Sequence, residues 1–142
     1  MGKKRIVEKE EQSEEVVKAG KASSSKKIFE SGILQVESTY NNTKLVLTDK
    51  RGNVLGFSSS GALGFKGAKK GTPFAAAKVG ETLGEKAQGM GMKEIAVVVR
   101  GVGSGRESSI RGFISKGINL LSIKDATPVP HNGPKPKKAR RV

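Results

Sequence analysis

The sequence predicts a mixed α/β domain with the element order β-β-β-α-β-α-β, set between a disordered N-terminal extension and a basic C-terminal tail. Three observations carry this. Three short β-rich runs follow one another with turn residues between them. A Thr-Pro pair then opens a stretch with helical periodicity. A continuous apolar run, a glycine loop and a second helical stretch complete two α-β units. A meander followed by two such units implies a mixed sheet with helices packed on it.

The first strand is read across Ile28–Thr39, marked by Ile33 and Val36. Leu45-Val46-Leu47-Thr48 is the second. Asp49 to Asn53 is a hairpin-type turn, with Gly52 and Asn53 suited to positive φ. Val54 to Ser59 is the third strand, and Gly61 to Gly71 a loop. Thr72 is placed as the N-cap of the first helix and Pro73 at its first position, where a missing N–H costs nothing. Phe74, Ala77, Leu83 and Ala87 fall near one face, Gly80 and Gly84 permit close packing, and Gly89 and Gly91 end the helix. Ile95 to Val99, apolar throughout, suits a strand buried on both faces. Gly101 to Arg106 is a glycine loop, and Glu107 to Lys116 a second helix with Ile110, Phe113 and Ile114 inward. Ile118 to Thr127 is the last strand, closed by Pro128.

The organisation expected is an extension over residues 1–27, a core over 28–130 and a tail over 131–142. The extension mixes eight basic and five acidic side chains with few apolar ones, too few to offset the entropy of ordering. Val16-Val17 within it is a weak candidate for one helical turn on a partner. The tail holds five basic and no acidic residues, and Pro134 and Pro136 keep it extended. A solvated, solubilising tail is the plain alternative, but uncompensated cations held open by proline favour a polyanion.

The chain carries 27 Lys and Arg against 13 Asp and Glu, a formal charge of +14. The absence of Cys removes disulfides, thiolate metal sites and Cys nucleophiles together, and the single His131 leaves no choice of partners for a catalytic triad. No apolar run is long enough for a membrane span or a signal-peptide core, so a soluble intracellular protein is expected. Aromatic residues at 4%, with no Trp, supply poorly the sheet-face stacking platform used by some RNA-reading domains.

Gly101, Gly103 and Gly105 lie between a strand and a helix, which can aim backbone N–H groups at an anion. Arg100 and Arg106 flank this loop and Arg111 follows on the helix. No Gly-Lys-Ser/Thr follows, and the dinucleotide spacing is absent. The alternative is a tight connection needing positive φ; the arginines tip the reading towards phosphate. Lys66, Lys69 and Lys70 among glycines form a second basic loop, which also opens a helix, or else a flexible solvated segment. Tyr40, Asn41 and Asn42 can bond base edges or ribose hydroxyls, although a satisfied turn is the better reading of those three alone. His131 suits a surface or RNA-stacking role, and the tail adds Lys135, Lys137, Lys138, Arg140 and Arg141. Asn132-Gly133 is prone to succinimide formation, because Gly133 places no side chain in the path of its nitrogen towards the Asn132 amide; an unmodified turn is the alternative. The core carboxylates show no convergent acid-base or metal pair.

A run of short motifs resembles the small-subunit ribosomal protein family S-eleven in its bacterial form. They are Asn41-Asn42-Thr43, Thr48-Asp49 with Gly52-Asn53, Leu55-Gly56, Gly64-Phe65-Lys66-Gly67, Thr72-Pro73-Phe74-Ala75-Ala76, Gly105-Arg106-Glu107-Ser108, Asp125 through Gly133, and Lys137 through Val142. They occur in order over roughly residues 30–142. Val102 and Ser104 stand where the family's glycine loop has prolines, the Cys usual after Asn-Gly is missing, and the acidic stretch before residue 20 is unlike the family's short basic start. The resemblance implies a ribonuclease-H-like fold without nuclease activity; no cofactor and no metal are expected. It also implies a place on the platform of the small subunit near the messenger exit path, in the cytoplasm. The implied partners are small-subunit rRNA and neighbouring ribosomal proteins, and the implied modification is isoaspartate at Asn132. The rival reading is an RNA-processing nuclease using Glu37, Glu81 or Glu85, and Asp125 around a divalent metal.

Overall fold

Alternation of side chains along a strand gives a sheet two faces, and in this chain the helices cover only one of them. A computed structural model describes residues 27–141. The N-terminal extension up to residue 26, the Val16-Val17 helical turn and Val142 lie outside the described residues. The elements are β1 (Ser31–Ser38), β2 (Thr43–Thr48), β3 (Val54–Ser59), a 3-10 helix (Gly67–Gly71), α1 (Pro73–Gly89), β4 (Glu94–Arg100), α2 (Arg106–Ile114) and β5 (Asn119–Asp125). They follow the expected mixed α/β order, with the first and last strands shorter at both ends than the sequence suggests.

The five strands lie in the order β3-β2-β1-β4-β5. β1 pairs antiparallel with β2 and β2 with β3, whereas β1–β4 and β4–β5 are parallel. The crossovers from β3 to β4 and from β4 to β5 therefore move the same way along the sheet. With the usual right-handed sense, both helices fall on the same face. Leu34 sits in register with Leu47 and Val97, and Val36 with Leu45 and Val99. These rows form the core with Val79, Leu83 and Ala87 of α1 and Ile110 and Phe113 of α2.

The opposite face is open, and this corrects the expectation for β4. Ile95, Val97 and Val99 are buried, but Ala96 and Val98 are only half-buried, because no helix covers them. All seven residues of β5 are exposed, as expected of an edge strand beyond the reach of the helices.

The first helix also differs from its reading. Thr72 caps it as expected, its Oγ1 accepting from the N–H of Ala75 at 3.3 Å. Its buried face, however, is Ala75, Ala76, Val79, Gly80, Leu83, Gly84 and Ala87. Phe74 is 65% exposed. The small residues face α2 because the two backbones nearly touch. A Cβ on Gly80 would lie 2.2 Å from the carbonyl oxygen of Ser109, and one on Gly112 would lie 2.4 Å from that of Ala77. In the hairpin turn Gly52 takes φ +94°. Asn53 does not need positive φ; its N–H and side-chain amide bond the Asp49 carboxylate at 2.9 and 3.1 Å.

Gly80→Ala is expected to destabilise the fold by about 1–3 kcal/mol through overpacking, read as a lower urea midpoint. Gly89→Ala, where a Cβ meets nothing within 4 Å, is expected to be neutral or to stabilise by up to about 1 kcal/mol.

Candidate nucleic-acid interface

The carboxyl ends of parallel strands and the amino ends of the helices that follow them lie at one end of a sheet. Here that end gathers the β1–β2 turn at Tyr40, the basic loop before α1, the glycine loop before α2 and the tail leaving β5. Three hydrogen-bonded joints make it one surface. The Ser60 hydroxyl lies 2.8 Å from both Asn42 Oδ1 and the Lys70 carbonyl, with one proton to share between them. The Thr43 N–H donates to the same oxygen at 3.1 Å. The Ser104 hydroxyl donates to the Gly71 carbonyl at 2.7 Å, tying the two loops together. Gly71 also rests on the Tyr40 turn, where a Cβ would come within 2.2 Å of the Tyr40 carbonyl oxygen.

Within the turn, Asn42 is committed to structure. Its carbonyl accepts from the Thr39 N–H at 2.8 Å and its N–H donates to Thr39 Oγ1 at 3.1 Å. Tyr40 and Asn41 project freely, Tyr40 with 78% of its surface exposed. Lys66 and Lys69 are exposed beside them and Lys70 is half-buried. Phe74, which the apolar pattern assigns to the core, stands next to this loop. Its ring meets Phe65 edge-on at 6.2 Å, with Lys78 Nζ 5.6 Å above it. Its position at the second helical residue, immediately before the buried Ala75 and Ala76, was the available signal.

The glycine loop is a tight connection to a greater extent than an anion cradle. A Cβ on Gly101 would lie 2.1 Å from the Ser38 carbonyl oxygen, and one on Gly103 would lie 2.3 Å from that of Thr39. The Gly101 N–H donates to Thr127 Oγ1 at 3.2 Å and the Gly103 N–H to the Ser38 carbonyl at 2.9 Å. Gly105 presses on Thr43 and Ala76. Two of the three amides expected to meet phosphate are therefore spent on the protein itself.

The three arginines expected around this loop diverge. Arg100 is exposed and lines the open face of the sheet. Arg111 is exposed on α2 and pairs with Glu107 one turn earlier. Arg106 turns inward: its guanidinium meets the Asp125 carboxylate at 2.7 Å, the Gly101 carbonyl and Thr127 Oγ1. Its charge serves as a clamp between the glycine loop and the end of β5. The Thr127 hydroxyl and backbone N–H donate to Asp125 Oδ1 at 2.6 and 3.0 Å and, together with Arg106, hold that carboxyl well below its ordinary range. The tail starts from this fixed point. His131 to Arg141 are exposed and form neither helix nor strand, and Asn132 adopts φ 56°.

The carboxylates of the nuclease reading are dispersed. Glu37 pairs with Lys44 on the open face, Glu81 with Lys78, Glu85 with Lys116 and Asp125 with Arg106. They do not converge on a common point, and among the described residues there is no group of three or more His, Asp or Glu that could hold a metal ion.

Residues 32–141 of the chain match the family model described as ribosomal protein S11.

Asp125→Asn is expected to loosen the clamp and lower stability near neutral pH. The folded carboxyl loses its proton more readily than the unfolded one, so its contribution is complete above the unfolded value of 3.8 and is lost as pH falls below it. Urea unfolding of both proteins should show a gap at about pH 7 that narrows by about pH 3.

Proposed function

The chain belongs to the ribosomal protein S11 family, a structural, non-enzymatic class of small-subunit ribosomal proteins, and from that premise we propose that it binds small-subunit rRNA through the loop-bearing end of its sheet. One observation carries this reading. Lys66, Lys69, Lys70, Arg100 and the five cations of the tail make no ion pair among the described residues, while five carboxylates elsewhere are paired. Lys66, Lys69 and Lys70, in a loop held by the Ser60 and Ser104 hydrogen bonds, suit phosphates at fixed spacing, because little ordering entropy of that loop remains to be lost on binding. Tyr40, Asn41 and His131 add flat or amide-bearing groups for unpaired bases.

The tail, residues 131–142, follows the RNA beyond the reach of the folded core, ordering against it as its charge is neutralised. The clamp at Arg106 sets the direction in which it departs. The site of action is the platform of the small subunit near the messenger exit path, in the cytoplasm, with other platform proteins as neighbours. The work is assembly and support of translation and includes no bond-making step.

Asn132 is proposed to be converted to isoaspartate. The Gly133 nitrogen attacks the Asn132 side-chain carbonyl carbon, ammonia leaves, and water opens the succinimide mainly towards the isoaspartyl product. Both residues are exposed, so nothing in the fold blocks the attack.

Neutralising about eight phosphates gives a log-log salt slope of about −6 to −7 for binding to the cognate rRNA fragment, measured by filter binding. A salt-insensitive affinity would refute the phosphate-gripping reading. Removing residues 134–142 takes away five cations and should weaken binding broadly while flattening the slope by about 4. Peptide mapping of mature particles with electron-based fragmentation should find isoaspartate at position 132; an intact amide there would refute the modification.

A further inference from the structure

The open face of the sheet shares only Arg100 with the interface described above, at the edge where the two meet. Register places Phe57, Val46, Gln35, Val98 and Lys124 in one row across all five strands. The neighbouring row carries Lys44, Glu37 and Arg100. Between the two rows lies an open depression of about 250 Å³, lined by Gln35, Glu37, Lys44, Val46, Thr48 and Arg100. At a water's share of about 30 Å³ this is room for about eight waters, enough for one planar ring system.

Its chemistry is that of a base-binding site. Val46 supplies an apolar floor. Gln35 lines it from the middle strand of the sheet, half-buried, and its side-chain amide makes no hydrogen bond within the described residues, so it has two N–H donors and an acceptor to offer. Lys44 and Arg100 border it, and Arg100 has no ion-pair partner among the described residues. Charge across the face leans to a polyanion by one unit: Lys44, Arg100 and Lys124 stand against Glu94 and against Glu37, which pairs with Lys44. A second, smaller hollow shares Glu37 and Lys44 and continues to Thr39 and Asn42, joining the face to the Tyr40 turn.

We propose that this face holds a single-stranded stretch of RNA, with one unpaired base seated on Val46 and read by the Gln35 amide, and with the flanking phosphates on Lys44 and Arg100. The strand continues past Asn42 to Tyr40, whose exposed ring receives a second base. This rests on the rRNA-binding reading above and extends it from phosphate gripping to base recognition on a separate surface.

The chain has no Cys, so a single introduced thiol can carry a photo-crosslinker to one place. Lys44→Cys probes the face and Lys135→Cys the tail, each in the full chain assembled into small subunits. Crosslinking to RNA from both positions, with position 44 joined to an unpaired nucleotide, is the expected result. RNA from position 135 but only protein, or nothing, from position 44 overturns this proposal and leaves the rRNA-binding reading standing. RNA from neither position overturns both. Gln35→Leu keeps the volume and removes the amide. It should lower affinity for the cognate rRNA fragment about tenfold while leaving random-sequence RNA within about twofold. An equal loss on both RNAs, or no loss on either, refutes reading by Gln35. Arg100→Gln should flatten the salt slope by about one; an unchanged slope removes Arg100 from the phosphate path.

Discussion

Backbone-to-backbone packing of the two helices is the constraint from which the rest of the structure follows. Gly80 of α1 meets Ser109 of α2 and Gly112 of α2 meets Ala77 of α1, each with no room for a single added carbon. Because both helices lie on one face, this contact brings their amino ends side by side at the end of the sheet where β1, β4 and β5 finish. The Ser104–Gly71 bond and the Ser60 junction then become possible, and the basic loop, the Tyr40 turn and the root of the tail share one surface. Had either helix carried an ordinary apolar stripe, the helices would stand about 8–10 Å apart on bulky side chains, and these joints would not close.

The same constraint separates what the sequence discloses from what it hides. Thr72-Pro73 is a local signal, and the helix begins where those two residues say it does. The buried face of that helix is disguised, since it is built of Ala and Gly. Phe74, the largest apolar residue nearby, draws the periodicity towards solvent. Ile95 to Val99 reads as buried on both sides because a run of apolar residues contains no mark of which face a helix will cover; here Ala96 and Val98 look out on the open face.

The candidate interface divides in the same manner. The tail cations and the exposed lysines of the loop are legible, because charge without compensation needs no tertiary knowledge. The fate of Arg106 is not, because its partners Asp125 and Thr127 come from the far end of the chain and only folding brings them to it. Likewise, the amides of Gly101 and Gly103 look free in sequence and are taken up by Thr127 and Ser38 in space. Gln35 carried no sequence signal: a lone amide in a strand acquires meaning only when its register neighbours prove to be Val46 and Val98 on an uncovered face.

The outer border of the sheet has a consequence for the protein before it joins a particle. Among the described residues, β5 presents one row of unpaired backbone groups over seven residues, with Leu120, Leu121 and Ile123 bare and Lys124 as its only cation. Such a margin is a template onto which a strand of any other chain can add. At the concentrations reached during rapid synthesis, the isolated protein is therefore prone to self-association.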